Sequence, residues 1–387
     1  MQMKITIERI FKDLSYQARL ARSLKNHRAY APPQQVQIEI TNRCNLRCVM
    51  CDRWKWEQED KKTAAKNFTT ERLCNLFDEL SKFGVERILL TGGEPLIRED
   101  FCTIIEYLSR LKMQTCIFTN GTLMNAQKAA VLVAANATVI FSIDGVSKTH
   151  DIIRGVPGAY EKALKGVRTI LSARKENHSS CHVVINFTVQ KANVKDIVSI
   201  FEVANELGVD TVTYNLVHGK PDVVPNEKEL SSLREEFRRL KSTYGSSKTR
   251  FRVGDILCSS LEGEIPQEDI SAGLPALALF KREPVPCLAT YTSSFIDNFG
   301  RVFPCCYCYL DNFSFAEFEE DRKRFYLGNV LQTSFDKIWH GVKYDEFRTH
   351  TDPIDANQLS FFCGQCYDYS SFKKLLRKSI FLRIARR

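Results

Sequence analysis

The 387-residue sequence contains no apolar run that approaches the roughly 20 residues needed to span a bilayer. Its first 30 residues also have no apolar core of the kind that signal peptides carry, because charged residues interrupt them throughout. Low-complexity segments and internal repeats, apart from alternating strands and helices, are absent as well. These absences predict a cytoplasmic protein without a transmembrane segment.

Cysteine, by contrast, is abundant, with 14 residues. Because cytosolic thiols stay reduced, these cysteines are better interpreted as metal ligands, nucleophiles or core residues than as disulfides. We expect five scattered ones to be buried thiols: Cys74, Cys102, Cys116, Cys181 and Cys258. The others form an early cluster (Cys44, Cys48, Cys51) and a late group (Cys287, Cys305, Cys306, Cys308, Cys363, Cys366).

The formal charge is +9, and both ends of the chain are basic. Residues 1–30 predict a basic amphipathic helix or pair of helices, stopped by the prolines at 32–33. Residues 371–387 carry seven Lys or Arg and no acid, and they predict a second such helix. We expect both to pack on the protein with a solvated basic face, the alternative being contact with an anionic surface.

Strand and helix patterns alternate along residues 35–216, which predicts a parallel sheet with crossover helices. The expected strands are 35–40, 86–90, 114–119, 138–143, 182–189 and 210–215. The expected helices are 68–84, 98–111, 126–135, 160–174 and 193–208, with a further helix at 226–245. Continuous curvature would give a partial (βα)6 TIM-type barrel with its chemistry at the carboxyl ends of the strands.

Two motifs follow the first two strands. Cys44, Cys48 and Cys51 have the spacing C-x3-C-x2-C, and three cysteines on one loop suit a 4Fe–4S cluster whose fourth iron stays open. A structural zinc ion would usually take four protein ligands. The turn at 92–95 reads Gly-Gly-Glu-Pro, where glycines permit close approach to the backbone and a carboxylate can pair with an ammonium group. In a parallel sheet both motifs emerge at the same edge.

With these two motifs at this separation, the sequence resembles the radical S-adenosylmethionine (SAM) superfamily over about residues 35–215. Ser142-Ile143-Asp144-Gly145, the segment around Arg154, and residues 187–193 are also similar to that family. The resemblance implies that Cys44, Cys48 and Cys51 hold the catalytic cluster and that SAM binds its open iron. It also implies a SAM site formed by Met50, Gly92, Gly93, Glu94, Pro95, Ser142, Asp144 and Arg154.

The late cysteines resemble the auxiliary-cluster extension of these enzymes, called SPASM or twitch. Residues 295–305 look like its β-hairpin, and 328–339 like the segment and helix that follow. The resemblance implies one auxiliary 4Fe–4S cluster on Cys287, Cys305, Cys363 and Cys366, with Cys306 or Cys308 as possible substitutes. A zinc ion on the same four ligands is the chemical alternative.

The expected organisation has five parts: a basic helical extension (1–34), the core barrel (35–245), a linker (246–286), the auxiliary-cluster domain (287–370) and the basic tail (371–387). We expect an oxidoreductase or related radical SAM enzyme that reductively cleaves SAM to a 5′-deoxyadenosyl radical. That radical would abstract hydrogen from a sugar or aminocyclitol-like small molecule or from a peptide side chain. If the reaction is an epimerisation, Cys181 and Cys258 are candidate hydrogen donors.

A flavodoxin or ferredoxin is the expected external one-electron donor. Two alternatives from other classes remain open at this point: a SAM-independent iron–sulfur electron carrier, and a nucleic-acid-modifying enzyme suggested by the basic termini.

Overall fold

The computed structural model describes residues 2–51, 53–54, 68–217, 221–253, 287–306 and 325–351. One ten-stranded sheet organises them, in the order β10-β9-β8-β1-β2-β3-β4-β5-β6-β7. The strands are β1 Gln35–Glu39, β2 Arg87–Thr91, β3 Gln114–Thr119, β4 Thr138–Ser142, β5 His182–Val189, β6 Thr211–Leu216, β7 Arg250–Val253, β8 Ser293–Ile296, β9 Arg301–Phe303 and β10 Gly328–Asn329.

Neighbouring strands from β8 to β7 are parallel, whereas β9 is antiparallel to both β8 and β10. The helices are α1 Gln2–Asn26, α2 Thr70–Phe83, α3 Phe101–Arg110, α4 Ala126–Ala134, α5 Lys148–Arg154, α6 Ala159–Glu176, α7 Ile197–Leu207, α8 Glu227–Tyr244, α9 Ala289–Thr292, α10 Phe335–Trp339 and α11 Val342–His350. Short 3-10 helices cover Pro95–Ile97, Lys191–Asp196 and Pro221–Val223.

The six predicted parallel strands are confirmed, β1 to β6, with crossover helices between them. Within the described residues the sheet ends at β7 on one side and β10 on the other, so the barrel is partial. The strand β7 lies inside the stretch that the sequence suggested as a linker and extends the sheet beyond β6. The predicted helix at 193–208 is divided, because Lys191–Asp196 is a 3-10 helix and α7 begins only at Ile197.

Helix α2 shows how the local sequence determines where a crossover helix begins and ends and which face it buries. The Thr69 hydroxyl accepts a hydrogen bond from the backbone N–H of Arg72, a cap that typically stabilises a helix by about 1 kcal/mol. Gly84 ends the helix in the left-handed conformation, at φ +100°. The helix buries a single apolar face against the sheet: Leu73, Leu76, Phe77 and Leu80.

The N-terminal extension is one helix, and it ends earlier than the prolines predicted. Helix α1 stops at Asn26, and His27 adopts a positive φ of 52°. The prolines at 32–33 therefore lie in the segment that leads into β1 and do not terminate the helix. Leu20 and Leu24 of α1 pack against Tyr291 of α9, which ties the first helix to the C-terminal part of the chain.

The predicted hairpin at 295–305 is confirmed as β8 and β9. Its first strand also pairs in parallel with β1, with Gln35 opposite Ser293 and Ile38 opposite Ile296. The cysteine-rich C-terminal part therefore continues the core sheet. Trp339, fully buried, donates from Nε1 to the Ala31 carbonyl at 2.9 Å and holds α10 against the entry to β1.

Several predicted features lie outside the described residues: Cys258, Cys308, Cys363, Cys366, most of the expected linker and the basic tail at 371–387. In the part of the chain that is described, no helix is long and apolar enough to cross a bilayer.

Candidate active site

The carboxyl ends of β1 to β4 surround a cavity of about 260 Å³. Nine of the residues predicted for the SAM site and its cluster line its wall. They are Cys44, Cys48, Met50, Cys51, Gly92, Gly93, Glu94, Ser142 and Arg154. The parallel sheet thus brings together the cysteine loop after β1 and the Gly-Gly-Glu-Pro turn after β2, as their positions predicted.

The two glycines are required by the cysteine loop itself. The N–H of Gly93 donates to the Thr41 carbonyl at 2.8 Å, and the N–H of Glu94 donates to the Arg43 carbonyl at 2.8 Å. A Cβ atom on Gly92 would lie 2.1 Å from the Thr41 oxygen, and one on Gly93 would lie 2.1 Å from the Arg43 oxygen. No side chain fits at either position, so the turn clamps the loop that carries the cysteines.

Glu94 is fully buried and satisfied by the protein. Its Oε1 accepts from the Thr119 hydroxyl at 2.7 Å and from the Leu96 N–H at 3.0 Å, and its Oε2 accepts from the Asn120 N–H at 2.7 Å. Burial raises the pKa of Glu94, and these donors oppose that shift. The carboxylate therefore joins the ends of β2 and β3. Pro95, predicted for the site, lies buried behind the cavity wall as the first residue of a 3-10 helix.

A closed ring of polar side chains fixes the cysteine loop to the end of β3. The side-chain amide of Asn45 donates to the Thr122 hydroxyl at 2.8 Å, and the side-chain amide of Asn120 donates to Oδ1 of Asn45 at 2.9 Å. Thr122 in turn donates to the Asn120 oxygen at 2.7 Å. Because Asn45 directly follows Cys44, this ring holds the first cysteine in place.

Arg154 stands between a buried acid and a cysteine. Its Nη2 lies 2.7 Å from Oδ2 of Asp144, and its Nη1 lies 3.7 Å from Sγ of Cys48. Burial disfavours the charged guanidinium, but the Asp144 carboxylate together with Cys48 and Cys51 outweighs burial, and the pKa of Arg154 is raised. Asp144 is fully buried and is not part of the cavity wall, so its contact is with Arg154.

His150 supports Asp144 from behind. The backbone N–H of Asp144 donates to Nδ1 of His150 at 3.0 Å, so this nitrogen carries no proton. Burial and the charge of Arg154 lower the pKa of His150 to about 3. The imidazole is therefore a neutral structural acceptor at neutral pH.

Sequence reasoning missed a second arginine on the cavity wall. Arg53, two residues after Cys51, lines the cavity and forms an ion pair with the fully buried Glu39. Trp54 lines it too, and its Nε1 donates to the Cys48 carbonyl at 3.4 Å. The sequence signal that could have predicted this partner was Glu39, an acid at the end of a buried strand, because a buried charge needs a partner.

Glu39 also marks the junction with the C-terminal hairpin. Continuing the register of β1 and β8 places Glu39 opposite Asp297, which is likewise fully buried. Arg301 pairs with Asp297, with Nε 2.6 Å from Oδ2, and its charge also acts on Glu39. Two acids and two arginines therefore connect the cysteine loop to the hairpin.

The donor set on the cysteine loop fits an iron–sulfur cluster. Within the described stretches, no three His, Cys, Asp or Glu side chains converge as the ligands of a single metal ion would. A 4Fe–4S cluster does not require that convergence, because each thiolate binds a different iron. Without a bound cation, burial raises the pKa of Cys44 to about 12, so the thiolate needs a metal to form.

Two of the late cysteines lie at one end of the hairpin. Cys287 precedes α9 and β8, and its N–H donates to the Thr351 carbonyl at 3.2 Å. Cys305 follows β9, whose antiparallel pairing returns the chain to the end where β8 began. Cys306 is next to it and is partly buried. Cys181 lies elsewhere: it precedes β5, about 26 Å of strand away from the carboxyl edge, and burial raises its pKa to about 11.

Comparison with known families identifies the chain. A model of the radical SAM superfamily matches residues 38–204, and a model of the SPASM iron–sulfur cluster-binding domain matches residues 287–367. The chain belongs to the radical SAM superfamily. These two domains indicate that 4Fe–4S clusters and SAM are the cofactors of this radical SAM protein.

Its relatives take part in the synthesis of different products. An AdoMet-dependent heme synthase of Methanosarcina barkeri is 28% identical over 86% of this chain and 88% of that protein. The antilisterial bacteriocin subtilosin biosynthesis protein AlbA of Bacillus subtilis is 24% identical over 87% of this chain and 67% of that protein. The chain is thus similar to enzymes with quite different products.

A solved structure shares the fold. SuiB of Streptococcus suis, bound to S-adenosylmethionine, superposes with a TM-score of 0.62 at 16% identity, covering 86% of this chain and 69% of that one. At this identity the likeness concerns the fold alone.

Proposed function

We propose that this radical SAM enzyme holds its catalytic cluster on Cys44, Cys48 and Cys51 and binds SAM in the adjoining cavity. The observation that carries the proposal is that the three cysteines share one cavity wall with Gly92, Gly93, Ser142 and Arg154. When bound, the cluster and SAM together supply reductive cleavage of a carbon–sulfur bond and hence a hydrogen-abstracting radical.

The protein's own side chains bind and orient the cluster and SAM. The raised pKa of Arg154 keeps its guanidinium charged, so it can offset thiolate charge and pair with a carboxylate. Ser142 offers a hydroxyl at the end of β4. Glu94 acts through structure, because its carboxylate accepts three hydrogen bonds from the protein. Asp144 orients Arg154 in the same indirect way.

For the auxiliary cluster we propose the ligands Cys287, Cys305, Cys363 and Cys366, with Cys306 and Cys308 as substitutes. The position of Cys287 and Cys305 at one end of the hairpin supports the first half of this set. A cluster with four protein ligands has no open iron, so its role would be to move an electron. Zinc is the alternative occupant and is distinguished by metal analysis.

The proposed substrate is either a peptide side chain or a small molecule. Similarity to AlbA supports a peptide. Among small molecules, a precursor of heme is supported, because the alignment with the heme synthase covers 86% of this chain and 88% of that protein. A sugar or aminocyclitol, expected from the sequence, stays a prediction, as does the assignment to the oxidoreductases.

The test is anaerobic incubation of the reduced protein with SAM, followed by chromatography for 5′-deoxyadenosine. We expect the product from the wild type and none from Cys48→Ala, with Cys74→Ala, a partly buried thiol on α2, as the matched control. A wild type that holds iron but never cleaves SAM would instead favour the electron-carrier alternative. A nucleic-acid substrate would require RNA binding at low salt.

A further inference from the structure

Two exposed apolar side chains lie on the cysteine loop and on the adjoining end of α5. Val49 is 44% exposed and Ile152 is 68% exposed. The Val49 N–H donates to the Ile153 carbonyl at 2.9 Å, and the Arg47 N–H donates to the Arg154 carbonyl at 2.9 Å. The loop therefore runs beside the end of α5, with both side chains at the surface.

This surface adjoins a proposed cluster ligand in the chain. Cys48 stands between Arg47 and Val49 in the chain and is itself 8% exposed. The cavity lies on the inner side of the same loop. Because the rate of electron transfer falls steeply with distance, a donor seated here would have a short route to the cluster.

The rim of the patch is basic. Lys148 is exposed and lies one helical turn before Ile152, hence on the same face of α5, and Arg47 is exposed on the loop. The acid on this helix, Asp151, is turned inward, where its carboxylate accepts from the N–H groups of Gly158 and Tyr160 at 2.6 and 2.8 Å. In α6, the exposed Glu161 and Lys162 offset each other.

We propose that Val49, Ile152, Lys148 and Arg47 form the docking patch for a small acidic one-electron carrier protein that reduces the catalytic cluster. The inference rests on the proposed function, because only a cluster at Cys48 needs an electron at this place. An apolar centre with a basic rim is complementary to an acidic carrier, which it would steer and orient. One electron leaves the carrier, which is oxidised, and enters the cluster, which is reduced; no atom is transferred.

The test uses the full-length, cluster-loaded protein and the variants Ile152→Glu and Lys148→Glu. Val342→Glu is the matched control, since Val342 is 70% exposed on α11 in the C-terminal part of the chain. Affinity for flavodoxin, an acidic flavin carrier, is measured by calorimetry at low salt. Formation of 5′-deoxyadenosine is measured with reduced flavodoxin and, separately, with dithionite, which needs no docking.

We expect both variants to weaken flavodoxin binding by about fivefold or more, because each adds an acid opposite an acidic partner. The flavodoxin-supported rate should fall in parallel, while the dithionite-supported rate stays unchanged, and Val342→Glu should match the wild type throughout. Unchanged flavodoxin affinity in Ile152→Glu, or equal weakening in Val342→Glu, would overturn the docking patch. A wild type that makes no product with dithionite would overturn the proposed function instead. The flavodoxin affinities of the variants would still test the docking patch.

Discussion

The Nη1 atom of Arg154 lies 3.7 Å from the Sγ atom of Cys48. The same guanidinium is held from the other side by Asp144, which is fully buried and hydrogen-bonded to the Thr188 N–H at 2.8 Å. A cation fixed in this way can balance the negative charge of thiolates at a cluster. The orientation of Arg154 is thus decided outside the cavity, by β4 and β5.

Arg154→Gln should destabilise the protein and weaken SAM binding. It leaves the Asp144 carboxylate buried without its ion partner, which typically costs about 3–5 kcal/mol in the free energy of unfolding. Anaerobic urea unfolding measures this cost, and calorimetry measures SAM affinity. The double variant Asp144→Asn with Arg154→Gln should recover much of the stability and none of the affinity. A single variant as stable as the wild type would contradict this role.

Gly93→Ala should prevent the cysteine loop from holding its cluster. The added Cβ would lie 2.1 Å from the Arg43 carbonyl oxygen, so the loop backbone must move. Gly158→Ala is the control: Gly158 has a φ of +74° but no atom within 4 Å of an added Cβ, so only backbone strain of about 1–2 kcal/mol applies. Iron analysis after anaerobic purification compares the two. Equal iron contents would show that the clamp is dispensable.

Glu94→Gln should cost about 1–3 kcal/mol of stability, because an amide cannot accept at all three donors and leaves one unsatisfied. All three partners of Glu94 donate to it, so a side-chain NH2 group would face another donor. Glu99→Gln, five residues later and exposed, should change the unfolding free energy little. If both substitutions were equally neutral in urea unfolding, the carboxylate would not be joining β2 and β3.

The low pKa of His150 predicts that the protein loses stability on acidification. Its pKa is about 3 in the folded state, below the ordinary value of 6.5, so the unfolded chain takes up a proton first as the pH falls. Its contribution is therefore fully present above pH 6.5 and declines as the pH falls towards 3. Between pH 7.5 and 5.5 this linkage corresponds to roughly 1 kcal/mol.

The measurement is the difference in unfolding free energy between these two pH values, for the wild type and for His150→Gln. Gln keeps an acceptor for the Asp144 N–H but does not titrate, so the pH dependence should decrease. His178→Asn, at an exposed turn with a φ of 49°, is the control and should keep the wild-type dependence. An unchanged pH dependence in His150→Gln would contradict the buried neutral imidazole.

Local sequence predicted much of this architecture. The strands β3 and β5 have the predicted bounds, and α2, with its Thr69 and Gly84 caps, falls within the predicted range 68–84. These elements follow from hydrophobic periodicity and capping, which act over a few residues. The convergence of the two motifs also follows from the sequence, since parallel strands share an edge.

What the sequence could not predict depends on long-range pairing. The addition of β8 to β1 joins residues more than 250 apart in the chain, and nothing local specifies it. The same pairing sets Glu39 beside Asp297, so the juxtaposition of these two buried acids could not be predicted either. The three donors to Glu94 come from the end of β3 and the turn after β2 and were not predicted, whereas its expected contact with SAM stays a prediction.

The central claim is that Cys44, Cys48 and Cys51 hold a cluster with one iron open to SAM. Electron paramagnetic resonance of the anaerobically reduced protein, recorded before and after addition of SAM, tests it most directly. We predict that SAM changes the spectrum of the wild type and that Cys48→Ala lacks this SAM-sensitive signal. A reduced cluster whose spectrum SAM leaves unchanged, or zinc bound at these three thiols, would contradict the claim.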